Sequence, residues 1–556
     1  MYNLLIGGAA GQGIDTTAAI LEKLLKKSGY NVFTTKDFMS RVRGGHNFSL
    51  IRFGTEPVLS HSNKLDGIIA LNDETVEYHK DQLNPNGFIL CDSKLNTDDS
   101  RAIKIDMTAM AQKIGNPRVS GSIAVGAVLR IFGENLDEIK DVLQGFVKEQ
   151  YIEMNIKAIS EGYQTVKNRF PHLKGDFSGY MTLSGTQALS LGAIAAGVHF
   201  YSAYPMSPST SIMEYLASKG DEAGIVVEQA EDEIAAINMA LGASYAGARA
   251  MTGTSGGGFS LMVEALGLSG MAEIPLVVVD VQRPGPVTGL PTRTEQSDLK
   301  FVISASQGEF PRMVIALRNH TDSFYQTIRA FHLAEKYQIP VIILSDQYLG
   351  DSTATVKPFD LSHVTTAQPA DQKEGNGEYL RYQYTEDGIS PRLLPGKTKD
   401  FVAIDSDEHD ERGWITESAE VRTKMMDKRM KKLVKLKQEL QEPEFLGAES
   451  FDTLLIGWGS TYGPIAEAIK LLNKKADKGY AALVFGDVYP LPQKLIREKA
   501  AAARYIINIE QNATGQLADL IREQTGISCD SSILKYDGRQ ISGEEIAEKV
   551  LKEGQK

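Results

Sequence analysis

Only two cysteines, Cys91 and Cys529, occur in the 556 residues, and they stand far apart. Two thiols cannot hold a cubane iron–sulfur cluster, which takes about four thiolates. No Cys-x-x-Cys occurs, so a zinc ribbon and a dithiol redox centre are both unsupported. A disulfide framework is excluded in the same way, and such usage fits a reducing compartment. Long apolar runs are also missing: none reaches the ~20 residues that span a bilayer. Met1 to Gly13 shows neither a basic leader nor a cleavage site. The expectation is a soluble, cytoplasmic protein without a membrane partner. No long basic run offsets the net charge of -12, which argues against a nucleic-acid surface.

What is present is ordinary globular material, 42% hydrophobic and 23% charged. The length suffices for about three or four domains. Asn3 to Gly7 reads as a strand, Gly8 to Gly13 as a turn, and Ile14 to Lys27 carries apolar residues at helical spacing. This βαβ-like opening begins a region placed at 1–175. A second region, 176–355, alternates strand and helix patterns in the manner of a doubly wound, mainly parallel sheet. A connector over 356–448 is polar at first, then holds a helix near Glu417 to Glu442 with an acidic start and a basic end. That polarity suits the helix macrodipole and reads as a solvated linker helix. The last region, 449–556, reads as β-α-β-α-β, with strands at Thr453–Gly457, Ala481–Phe485 and Tyr505–Ile509. The fold class is therefore α/β, in several doubly wound domains.

The Gly8–Gly13 turn has the order GxxGxG, not the GxGxxG of a dinucleotide fingerprint. It offers backbone N–H groups to an anion, or it serves tight packing. Ser40 to Asn47 puts Arg41, Arg43 and His46 beside a glycine pair, in a loop fit to meet a phosphate or a neighbouring domain.

Three loops of the second region each follow a strand. In a parallel sheet, ligands gather at the carboxyl ends of the strands. Tyr204-Pro205-Met206-Ser207-Pro208-Ser209-Thr210 holds hydroxyls between prolines that fix φ; its plainer reading is a helix N-cap. Glu228-Gln229-Ala230-Glu231-Asp232-Glu233 opens a helix, where acids also merely complement the dipole. Gln282-Arg283-Pro284-Gly285-Pro286-Val287-Thr288-Gly289-Leu290-Pro291-Thr292-Arg293 is stiff and positive, and arginine suits bidentate carboxylate binding. Convergence of the three on one crevice is stronger than any one alone.

In this order and spacing, the Tyr-Pro-x-Ser-Pro-Ser element, the Glu-x-Glu helix start and the Gln-Arg-x-Gly-Pro-x-Thr-Gly-x-Pro-Thr loop resemble the alpha subunit of 2-oxoacid:ferredoxin oxidoreductases. Gly8–Gly13 with Arg41–Asn47 resembles that family's gamma domain, and Glu510-Gln511-Asn512-Ala513-Thr514-Gly515-Gln516 its final domain. The fused gamma–alpha layout is most similar to the 2-oxoglutarate branch.

The resemblance implies a pyrimidine-type thiamine-diphosphate-binding fold in the second region and a transketolase-like α/β domain at the end. It implies oxidative decarboxylation of a 2-oxoacid with coenzyme A to acyl-CoA, CO2 and reduced ferredoxin, or the reverse carboxylation, on 2-oxoglutarate, pyruvate or a branched-chain 2-oxoacid. It also implies a beta subunit that carries Mg²⁺ and a 4Fe–4S cluster and shares the thiamine diphosphate, in an assembly of two alpha–beta pairs. Glu233, with Glu231 as runner-up, would bond the pyrimidine N1′ and favour the imino tautomer that takes the C2 proton. Pro205 would help hold the cofactor. Ser207, which stands where the family usually has Thr, would bind substrate together with Tyr204, Thr288 and either Arg283 or Arg293. Two readings of other classes stand beside this one: a nicotinamide-dependent dehydrogenase and a non-catalytic scaffold.

Overall fold

The computed structural model describes residues 1–39, 45–362, 364–365, 379–397, 399–474 and 479–553. Ser40 to Gly44 of the arginine–glycine loop lie outside the described residues. Two compact units are formed: Met1–Ser184 with Asp351–Pro358 and Ser542–Glu544, and Gly185–Gly350 with Phe359–Ile541 and Glu545–Lys556. Among the described residues the strands make three sheets, of eight, seven and five. No helix of the described residues is long and apolar enough to cross a membrane.

The eight-stranded sheet belongs to the first unit. Its central strand, Tyr2–Ala9, buries Leu4, Leu5 and Ile6 completely. It pairs parallel with Leu65–Ala70 and antiparallel with His46–Gly54. The strand runs two residues past the Gly7 end read from sequence. Gln12 then closes the glycine turn: its Oε1 accepts from the Ala9 amide at 2.7 Å and its Nε2 donates to the Leu71 carbonyl at 3.1 Å. Gly13 supplies the left-handed φ of 77° at the N-cap of Ile14–Lys27. Met181–Ser184 and Thr353–Val356, which bracket the second region in sequence, are the last two strands of this sheet.

The seven-stranded sheet belongs to the second unit. Its order is Asp487–Tyr489, Met313–Ala316, Pro340–Asp346, Leu276–Gln282, Ala250–Thr254, Phe200–Ala203, Val226–Gln229. All neighbours are parallel except the first pair. This is the doubly wound pattern expected from sequence. Leu276–Gln282 and Pro340–Asp346 are buried throughout, as strands covered on both faces require. Chain order reverses between Phe200–Ala203 and Ala250–Thr254, so a switch-point crevice opens at their carboxyl ends. Gly256, Gly257 and Gly258, read from sequence as a turn, are instead the first turn of the helix Gly256–Met271. A Cβ on Gly258 would lie 2.1 Å from Thr254 Oγ1 and 2.5 Å from Glu233 Oε1, which explains the small residue there.

The third sheet runs Glu444–Gly447, Tyr480–Phe485, Thr453–Trp458, Tyr505–Glu510, Ser531–Leu534. It holds the three strands expected and two more at its edges. One apolar core joins it to the seven-stranded sheet, with Val278 and Ile342 on one side and Leu454, Trp458 and Leu483 on the other. Glu510, fully buried at a strand end, accepts from Trp458 Nε1 at 3.0 Å, Asn512 Nδ2 at 2.8 Å and the Leu517 amide at 2.9 Å. Gln296, from the loop after Arg293, donates its amide to the Gln511 carbonyl at 2.7 Å. The Glu510–Gln516 motif is thus a polar clasp within this unit.

The connector helix, Ala419–Leu436, corrects the solvated-linker reading. Lys428, Arg429 and Lys432 are buried. Lys428 Nζ donates to Glu273 Oε1 at 2.5 Å, and Lys432 Nζ pairs with Oε2 at 2.5 Å outside hydrogen-bond geometry. Burial pushes the Glu273 carboxyl up, but Lys432, Lys428 and Arg381 outweigh it and hold the group well below the ordinary range. Burial brings Lys432 down to about 8, against the pull of Glu273.

Candidate active site

The switch-point crevice holds a cavity of about 490 Å³. Its walls come from three successive strand ends: Met206 after Phe200–Ala203, Ser255 and Gly256 after Ala250–Thr254, and Arg283 and Thr288 after Leu276–Gln282. Asp298, further along the last loop, completes the lining. Gln282 fastens that loop: its Nε2 donates to the Ser345 carbonyl at 3.1 Å, and its Oε1 accepts from the Asp298 amide at 3.1 Å.

Arg283 is buried, and Nη1 donates to the Ser207 carbonyl at 2.6 Å. Among the described residues no carboxylate faces its guanidinium as a partner. Burial lowers its pKa, an unfavourable environment for a cation without an anion. A buried, unpaired guanidinium in a cavity wall is a receptor for an anionic ligand.

Glu233 is 4% exposed, at the first position of the helix Glu233–Tyr245. Its neighbour Asp232 takes the capping role, accepting from the Ala235 amide at 2.8 Å. Glu233 is therefore not needed as a cap. Its Oε1 is buried and without a hydrogen-bond partner, and it faces the Gly258 cradle. An orphaned buried acceptor is the environment that a ligand N–H completes.

The remaining sequence-derived residues spread out. Glu231 is exposed. Tyr204 is 41% exposed, Pro205 is half-buried and Ser207 exposed, its carbonyl but not its hydroxyl engaged by Arg283. Thr288 lines the cavity from the exposed tip of its loop. Arg293 is half-buried and is not part of the cavity lining given by Arg283 and Thr288; its Cβ and Cγ face Gly538. Sequence reading missed Asp280 and Asp298. The available signal was an acid set among Val277, Val278, Val279 and Val281.

Residues 191–428 match the family model described as pyruvate flavodoxin/ferredoxin oxidoreductase, thiamine diphosphate-binding, and residues 3–165 match pyruvate ferredoxin/flavodoxin oxidoreductase. The chain is 32% identical to the 2-oxoacid:ferredoxin oxidoreductase subunit alpha of a Sulfolobus species, over 99% of this chain and 97% of that protein. It is 35% identical to the 2-oxoglutarate synthase subunit KorA of Methanocaldococcus jannaschii, over 57% of this chain and 85% of that one. The solved 2-oxoglutarate:ferredoxin oxidoreductase from Magnetococcus marinus, with 2-oxoglutarate, coenzyme A and succinyl-CoA bound, superposes with a TM-score of 0.93 at 32% identity, covering 99% of both chains. These likenesses set aside the dehydrogenase and scaffold readings. The chain belongs to the 2-oxoacid:ferredoxin oxidoreductases, as an alpha subunit.

Proposed function

We propose that this alpha subunit, joined to a beta subunit, converts 2-oxoglutarate and coenzyme A to succinyl-CoA and CO2, with two electrons passing to ferredoxin, and runs the reverse carboxylation when electrons are supplied. The observation that carries the proposal is the buried, unpaired Arg283 guanidinium in the cavity wall, together with the orphaned Glu233 oxygen packed against Gly258, next to the Gly256 and Gly257 that line the same cavity. The 2-oxoglutarate preference draws its support from the names of the relatives above.

The residues fit thiamine diphosphate shared with the beta subunit. Glu233 Oε1 would accept from its pyrimidine, with the bare Gly258 letting the carboxylate sit against the helix start and Pro205 helping to hold the cofactor. When bound, the cofactor supplies a nucleophilic carbon for the keto group and retains the electron pair that CO2 leaves behind. Glu233 holds a proton-accepting charge at the pyrimidine edge, and a hydrogen bond to such a charged group is worth about 1.5–3 kcal/mol. Its weight grows in a water-poor site. Arg283 orients the substrate through a carboxylate, and Ser207 and Thr288 offer hydroxyls at the mouth of the cavity. Mg²⁺ and a 4Fe–4S cluster fall to the beta subunit, since two cysteines here are too few for the cluster. The complete enzyme is read as two alpha–beta pairs.

The test is turnover by the reconstituted complex, followed as acyl-CoA formation and viologen reduction. Glu233→Gln is expected to abolish both while the subunits still co-purify. Wild-type rates in that variant would remove Glu233 from the mechanism.

A further inference from the structure

The loop from Arg283 to Asp298 carries much of the cavity lining, and its downstream part rests on the third sheet through Gln296. Gln296 is fully buried, and each of its polar groups is bonded to that sheet. Its amide donates to the Gln511 carbonyl at 2.7 Å and its side-chain Nε2 to the Trp458 carbonyl at 2.9 Å. Its Oε1 accepts from the Gln511 amide at 3.3 Å, and its carbonyl accepts from Asn512 Nδ2 at 3.0 Å. These partners stand at the carboxyl ends of two paired strands, Thr453–Trp458 and Tyr505–Glu510. Gly459 makes the approach possible: its φ of 55° is left-handed, and a Cβ there would lie 3.0 Å from Gln296 Nε2.

The partners are themselves fixed. Glu510 accepts from Asn512 Nδ2 at 2.8 Å. The Gln511 side chain donates to Gln540 Oε1 at 2.6 Å and accepts from the Ile541 amide at 2.6 Å. Gln516 extends the contact along the same loop: its Nε2 donates to the Ser297 carbonyl at 2.7 Å, and its Oε1 accepts from the Lys300 amide at 2.8 Å. At the other end of the loop, Gln282 leaves the buried strand Leu276–Gln282 and accepts from the Asp298 amide at 3.1 Å. The cavity loop is therefore closed at its base by a side chain of the seven-stranded sheet and backed, two residues before Asp298, by the third sheet.

We infer that the third sheet sets the shape of the cavity loop through Gln296, and that Gln296 is a positioning residue for anion binding at that cavity. This gives the Glu510–Gln516 motif its part in the enzyme. A loop pinned at both ends presents Arg283 and Thr288 to a ligand without first having to be ordered, and ordering would otherwise be subtracted from the binding free energy. Without the pin, the loop holds its lining in place for only a fraction of the time, and the apparent affinity falls by that fraction. The effect belongs to binding: once the anion is seated, the loop is in place and the chemical step proceeds as before. That the anion is a 2-oxoacid rests on the function proposed above; the pinning of the loop does not.

Gln296→Leu keeps the bulk and removes both side-chain bonds, and two measurements on the assembled alpha–beta complex test it. The first needs no turnover. Hydrogen exchange over 283–298 should be about tenfold faster in the variant, while Leu276–Gln282 and Thr453–Trp458 keep wild-type rates. The second is the split between KM and kcat. KM for 2-oxoglutarate should rise roughly tenfold, as for a loop in place about a tenth of the time, with kcat within about twofold of wild type. A merely structural bond would lower the unfolding midpoint and leave KM where it was. Unchanged exchange over 283–298 overturns the inference, and so does faster exchange there with an unchanged KM. Should Gln296→Leu fail to assemble, Gln516→Leu removes only the bonds to Ser297 and Lys300 and should give the same pattern with a smaller KM rise; wild-type exchange and KM in that variant overturn the inference. A complex whose loop loosens as expected but whose wild type turns over no 2-oxoacid refutes the proposed function alone.

Discussion

Removing the Arg283 guanidinium should raise KM with little effect on assembly. The residue is 8% exposed, and among the described residues its guanidinium donates to the Ser207 carbonyl at 2.6 Å. Ser207 lies in an exposed loop, so water replaces the lost donor at small structural cost. The substrate loses a charge-assisted bond worth about 1.5–3 kcal/mol. At about 1.4 kcal/mol per tenfold, Arg283→Ala should raise KM by roughly 10- to 150-fold. Arg283→Lys keeps the charge without the planar fork and should fall between. The assay is the initial rate of acyl-CoA formation by the reconstituted complex, with 2-oxoglutarate and pyruvate compared. A rise for 2-oxoglutarate alone assigns Arg283 to the distal carboxylate; a rise for both assigns it to the carboxylate common to 2-oxoacids. Arg293→Ala, at a side chain facing Gly538, should move KM less. Unchanged KM in Arg283→Ala for both substrates would refute the anion-receptor reasoning.

Glu273→Gln strands two buried ammonium groups, Lys428 and Lys432, and should destabilise the protein by about 3–5 kcal/mol; denaturant unfolding checks this, and faster hydrogen exchange along Ala419–Leu436 should accompany it. Gly258→Ala drives a methyl toward Thr254 Oγ1 and Glu233 Oε1 and should weaken thiamine diphosphate retention, measured by calorimetry, with the circular dichroism of the fold unchanged. Asp346 is raised by burial to about 6, so the folded state holds a proton that the unfolded state has released. Stability should therefore fall as pH rises from about 4 to about 6 through this group, and Asp346→Asn should flatten that part of the stability–pH curve.

The site loops were legible because each is a short polar, Pro- or Gly-bearing stretch after a buried apolar strand, and parallel α/β topology places such stretches at one edge. Local signals could not reveal partners distant in sequence. Lys428 and Lys432 look solvated on a charged helix, because their partner Glu273 lies 155 residues from Lys428; Arg429 is buried on Glu408, 21 residues before it. Asp487–Tyr489 follows a strand of the third sheet yet pairs with Met313–Ala316 of the seven-stranded one. Three consecutive glycines read as a turn, since helix propensity disfavours them; close approach of Glu233 and Thr254 decides otherwise.

A structure of the alpha–beta assembly with thiamine diphosphate bound is the most direct check. Glu233 Oε1 should lie within about 2.6–3.2 Å of a pyrimidine ring nitrogen, with Arg283 facing the same cavity. A cofactor bound away from the switch-point crevice, with Glu233 still unpartnered, would contradict the account.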